Sequence, residues 1–129
     1  MPVLKRIGLS GLGLPLMRTD LLFIVTVSPT LRQVAIEVLS EILTFAAFDI
    51  PLRVLFLDRA AKLLITGADP EIYGMIEAFS LYGVSEVFVE RESLIECGVD
   101  EQSVPGNVII LRRAEISHFI RMHRRVMGD

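Results

Sequence analysis

Cys97 is the only cysteine in the chain, and so the only side chain able to act as a sulfur nucleophile or carrier. A reactive thiol needs solvent access and a helix N-terminus or a nearby cation to favour its thiolate. Cys97 lies instead in Leu94-Ile95-Glu96-Cys97-Gly98, beside a carboxylate and just before a glycine stop. The C-terminal helix dipole and Glu96 both disfavour thiolate. Cys97 therefore reads as a packing residue, and as a nucleophile only in an alternative scheme. A lone cysteine also excludes an internal disulfide and any multi-cysteine metal site, and it suits a reducing compartment. His118 and His123, five positions apart, point about 140° from one another on a helix and do not share a face as a zinc pair does. No metal is expected.

Four places carry the remaining chemistry. Asp58 closes an apolar run before a helix, where it serves as an N-cap or as a pocket carboxylate. Glu90 and Glu92 flank Arg91. Two carboxylates so close suit acid–base work, but neighbours in sequence diverge in direction and Arg91 neutralises them, which favours a solvated rim. Arg112, Arg113, Arg121, Arg124 and Arg125 make the C-terminal end basic. They complement a helix C-terminus and suit phosphates or an acidic subunit face. Gly8, Gly11 and Gly13 precede the first strand rather than opening a helix after one, so they form no phosphate loop, and no cofactor is expected.

The elements that position these residues alternate. Leu21–Val27 is a continuous apolar, β-branched run, as in a strand buried on both faces. Ser28 and Pro29 suit the start of a helix whose core stripe is Leu31, Val34, Ala35, Val38, Leu39, Ile42, Phe45 and Ala46. A second strand follows Pro51 and ends at Asp58, leading into a short helix stopped by Gly67. The next helix is capped by Asp69, has Pro70 in its first turn and stops at Gly83. Gly74 inside it suggests a close packing neighbour. A third strand ends at Glu90, a short helix at Gly98, and a fourth strand follows the Pro105-Gly106 turn. A last helix is expected over Ala114–Met127, with Ile116, Phe119, Ile120, His123 and Met127 along one side.

This order predicts an α/β fold: three layers, with a mainly parallel sheet of four to five strands and helices on both faces. Ligands of such sheets gather at the carboxyl ends of the strands. Asp58, Arg59, Glu90, Arg91 and Arg112 are thus the expected pocket residues. Residues 21–129 form one domain, and residues 1–20 an N-terminal extension, flexible or laid against a partner. The composition is 52% apolar against 22% charged, with mean hydropathy +0.56. No run approaches the ~20 apolar residues that span a bilayer. The apolar excess instead suits two-sided sheet burial and a subunit interface. A net charge of −3 and a pI near 5.4 exclude a stand-alone nucleic-acid binder. An indirect tRNA contact within a larger complex is compatible with the basic end.

Three segments, LLFIVTVSP, LRVLFLDRAAKLLITG and FSLYGVSEVFVERESLIECGV, resemble the DsrE/DsrF-like sulfur-relay family, most closely its TusC/DsrF subunit type, over residues 21–112. The resemblance implies a compact α/β domain that assembles into dimers or hexamers. It also implies a cytoplasmic complex that passes persulfide sulfur toward tRNA 2-thiouridine formation or in sulfur oxidation. Expected partners are DsrE/TusD-like and DsrH/TusB-like subunits, or further copies of the chain. The family's carrier cysteine stands where its third strand meets the short helix, which corresponds here to Glu90. The resemblance thus implies a non-carrier, non-catalytic subunit. The family often has glycine after the strand-terminal aspartate, where this chain has Arg59. Two other readings are a self-sufficient homo-oligomeric sulfurtransferase using Cys97, with Arg91 or a partner's arginine favouring its thiolate, and a small-ligand or nucleotide-binding module.

Overall fold

A computed structural model describes residues 21–129; the expected extension over residues 1–20 lies outside them. Five strands form one parallel sheet in the order β4-β3-β2-β1-β5. They are β1 Leu21–Val25, β2 Leu52–Phe56, β3 Val84–Glu90, β4 Ile109–Leu111 and β5 Arg125–Gly128. The helices are α1 Arg32–Ala47, α2 Pro70–Tyr82, α3 Arg91–Glu96 and α4 Arg113–Arg121, with a 3-10 helix over Asp58–Leu64.

The period-2 alternation of a strand sends successive side chains to opposite faces. On one face Phe23, Val25, Val54, Phe56, Val87 and Val89 pack with Ala35, Leu39 and Ile42 of α1 and Ile72, Ile76 and Phe79 of α2. On the other, Leu22, Leu55, Phe88 and Leu111 pack with Ile116 and Phe119 of α4. The three layers match the expected fold class. Both β1 and β2 are buried almost throughout, which is why β1 reads as an unbroken apolar run and β2 is interrupted by Arg53 alone.

The start and stop of α2 follow the sequence signals. The Ile72 amide donates to Asp69 Oδ1 at 3.3 Å, Pro70 occupies the first turn, and Gly83 ends the helix at φ +105°. Elsewhere local chemistry intervenes. Ser28 does not cap α1: its Oγ accepts from the Thr30 amide at 3.2 Å, and this small turn delays the helix to Arg32. An added Cβ at Gly74 would meet nothing within 4 Å, so the expected close neighbour is absent among the described residues.

The largest departure is at the C-terminal end. The expected helix over Ala114–Met127 stops at Arg121, and Arg125–Gly128 becomes the edge strand β5 beside β1. A Cβ at Gly128 would lie 2.9 Å from the Ile24 carbonyl oxygen, so this close approach requires glycine. Asp129 then fixes the strand end. Its carboxylate accepts from the Thr26 amide and hydroxyl, both at 2.9 Å, and from the Val27 amide at 2.7 Å. Arg124 and Arg125 thus lie beyond the helix terminus they were expected to complement.

Candidate functional site

Where β2 and β3 end, the chain turns into the 3-10 helix and α3, and α4 crosses the far side. Between them lies an open cleft of about 750 Å³, lined by Leu57, Asp58, Glu90, Arg113, Ile116 and Arg121 among others. A second cleft of about 570 Å³ adjoins it, with Ser28, Thr30, Arg59, Lys62 and Cys97 in its wall. Asp58 and Glu96 line both.

Glu90 is the most constrained residue of the site. It is 5% exposed, not part of a solvated rim, and its partner is Arg113 rather than Arg91. Arg113 donates through Nε to Oε2 at 3.0 Å and through Nη2 to Oε1 at 3.1 Å. Ser93 Oγ donates to Oε1 at 2.5 Å. Burial pushes the Glu90 carboxyl upward, but the bonds from Arg113 and Ser93 and the charge of Arg113 outweigh it, leaving Glu90 below the ordinary carboxylate range. The same contacts, with Glu96, raise Arg113 further above its already high value. Both Glu90 oxygens are committed, so this carboxylate is a strut rather than a free base or nucleophile.

Asp58 does not cap the 3-10 helix; Leu57 occupies that position and no side chain bonds there. Asp58 stands at φ +53°, a left-handed conformation that aspartate tolerates better than most residues. Its amide donates to Ser93 Oγ at 2.8 Å and its carbonyl accepts from Cys97 Sγ at 3.5 Å. Ser93 therefore links the ends of β2 and β3, and Cys97, half-buried at the end of α3, touches the same turn. Asp58 and Arg59 are exposed at the cleft rim.

Arg91 and Arg112 line neither cleft. Arg91 Nε lies 3.4 Å from Glu101 Oε2. Arg112 is the N-cap just before α4, and its amide donates to Glu115 Oε1 at 2.9 Å. Of two adjacent arginines it is Arg113, the first residue of α4, that turns toward Glu90 of β3. The sequence offered both, and helix phase decides between them. Ser93 was also missed, although its position one turn after Glu90 was a usable signal. His123 is buried away from both clefts, with Nε2 3.2 Å from Arg53 Nη1 and Nδ1 2.9 Å from the Phe119 carbonyl. Among the described residues no cluster of three or more His, Cys, Asp and Glu could hold a metal, and no helix is long and apolar enough to cross a membrane.

A parallel three-layer α/β fold with a cleft at its strand ends defines the class, and comparisons sharpen it. No protein-family model matches the chain. Its sequence is 29% identical over 117 residues to the protein TusC homolog of Pseudomonas aeruginosa, spanning 86% of this chain and 98% of that protein. Its fold is similar to the crystal structure of the ychN protein from E. coli, with a TM-score of 0.65 over 87% of this chain and 100% of that one. At 13% identity the second likeness concerns the fold alone. Together they bear out the resemblance to the DsrE/DsrF-like family and, within it, to the TusC type.

Proposed function

We propose that the chain is a non-carrier structural subunit of a cytoplasmic sulfur-relay complex, passing persulfide sulfur toward tRNA thiolation. In this role it docks a cysteine-bearing DsrE/TusD-like partner and shapes the pocket around the partner's sulfur. Residues 21–129 act as one domain. The likeness to a TusC homolog along nearly its whole length supports the relay assignment. The observation that carries the non-carrier role is Glu90. At the place where a carrier would present a thiol, this chain has a buried carboxylate locked by Arg113 and Ser93. A persulfide cannot form there.

The test is mass spectrometry of the chain after incubation with a persulfide donor, alone and with its partner subunits. No adduct on this chain that passes to an acceptor is expected, and Cys97→Ser should leave transfer by the assembled complex unchanged. A transferable persulfide on Cys97 would overturn the proposal. One observation favours that second reading: Arg59 and Lys62 share a cleft with Cys97, supplying the cations that sequence reasoning sought in Arg91.

A further inference from the structure

A cavity of a different kind lies at the amino ends of β3 and β4, opposite the clefts at their carboxyl ends. It holds about 340 Å³ between α2, the start of β3 and the turn before β4. Tyr73, Ile76, Glu77 and Ser80 line it and recur at i, i+3, i+4 and i+7, so one face of α2 forms a wall. Phe79, Val84, Val87 and Val108, all buried, supply an apolar floor. Pro105 and Asn107 form the facing wall. Their turn is closed by the Val108 amide, which donates to the Pro105 carbonyl at 3.1 Å.

The start of β3 is irregular at this cavity. Leu52 lies opposite Val84 and Arg53 opposite Glu86, so Ser85 is an extra residue in the ladder. Such bulges are rare between parallel strands and are over-represented next to active sites. The polar groups around the cavity are acceptors. Among the described residues, the Glu77 carboxylate, the Tyr73 hydroxyl and the Asn107 amide group make no hydrogen bond or ion pair. Ser80 Oγ donates to the Glu77 carbonyl at 3.4 Å, which leaves its lone pairs to a ligand. Glu86 also lines the cavity, but Arg53 Nε meets its charge at 2.7 Å. No described basic residue lines the cavity, so Glu77 is its one unmet charge.

We propose that this cavity binds a small organic amine in its cationic form, the ammonium at Glu77 and the apolar body on the valine and phenylalanine floor. An ammonium brings three donors and no acceptor, the complement of a carboxylate, two hydroxyls and an amide oxygen. A concave apolar site of this volume with a few convergent polar groups suits a small ligand. Phosphates and carboxylates are disfavoured, because the one unmet charge is negative. The carboxyl-end clefts differ in this respect, since Arg59, Lys62, Arg113 and Arg121 line them. The amine site does not depend on the sulfur-relay reading.

Titration of the full chain with 2-phenylethylamine, followed by amide proton–nitrogen NMR, tests this. Saturable shifts are expected at the amides of Ser80, Ser85, Asn107 and Val108, and not at those of Asp58, Glu96 or Cys97. Phenylacetate, of similar shape and opposite charge, should leave them unmoved. Glu77→Gln should weaken amine binding about tenfold or more, and Glu77→Lys should exchange the preference from the amine to phenylacetate. Glu77 is exposed on a helix, and circular dichroism checks that both variants remain folded. No saturable shift, shifts confined to the carboxyl-end clefts, equal binding of phenylacetate, or undiminished binding by Glu77→Gln would overturn the proposal. So would tighter binding of an amide-capped lysine than of the free amine, which would make the cavity a seat for a protein side chain.

Discussion

Arg113, in the first turn of α4, grips Glu90, the last residue of β3, through two hydrogen bonds of 3.0 and 3.1 Å. The pair ties one end of the sheet to the helix that crosses its far face. Its members differ in exposure: Glu90 is sealed in, while the Arg113 side chain is 49% exposed. Their removal should therefore differ in effect. Glu90→Gln keeps the shape, loses the charge assistance and frees an arginine that water can solvate, costing about 1–2 kcal/mol. Arg113→Ala leaves a buried carboxylate with only Ser93 to neutral-bond it, the costlier defect. Urea denaturation should place the midpoint of the Arg113 variant below that of Glu90→Gln, with both below wild type.

The same pair sets an acid limb. Glu90 is held below its ordinary range in the folded chain, so the unfolded chain binds its proton first as pH falls. A depressed folded value contributes stability that is fully present above the unfolded carboxylate range of about 4.3–4.5 and is lost as pH drops through it toward the folded value. Asp69, lowered chiefly by its bond from Arg32, acts in the same direction from the surface. Thermal melts between neutral pH and the acid limit should show a falling midpoint, and the Glu90→Gln curve should run closer to flat. Equal slopes in the two proteins would show that the pair does not control the limb.

The fold was largely legible because its central strands are buried on both faces. Leu21–Val25 and Leu52–Phe56 are short, mostly apolar runs of strand length between turn signals, and Asp69, Pro70 and Gly83 punctuate α2 by local chemistry. The C-terminal end was not legible. Ile116, Phe119, Ile120 and His123 keep a helical period beyond the point where the helix stops, and only the approach of Gly128 to Ile24 reveals a strand. The site was half legible. Asp58 and Glu90 were expected at the strand ends and do line one cleft. The burial of Glu90 depends on Arg113, 23 residues away in sequence, and no local pattern reports such a contact.

Gly74 offers a simple gain. It lies inside α2, and a Cβ there would meet open space. Gly74→Ala should raise stability by about 0.5–1 kcal/mol through reduced chain entropy and better helix propensity. That corresponds to about 2–6 °C in melting temperature for a chain of this size. Loss of stability on this change would mean that something packs against α2 at that point in solution.

Gly128 makes the opposite case. Among the described residues the edge strand β5 pairs with β1 alone, and its last residues depend on a close backbone approach at Ile24 and on the Asp129 carboxylate held by Thr26 and Val27. Gly128→Ala forces a Cβ to within 2.9 Å of the Ile24 carbonyl oxygen. Neither group is the end of a flexible side chain, so the strand must move, at a cost of about 1–3 kcal/mol. An edge strand can open without unfolding the sheet, so the loss should be local. Hydrogen exchange is expected to quicken at the β5 amides and at Thr26 and Val27, while the amides of β2 and β3 keep their protection. Asp129→Ala should reproduce the faster exchange at Thr26 and Val27 without the steric shift at Ile24. Uniform acceleration across the sheet in Gly128→Ala would instead make β5 part of the cooperative core.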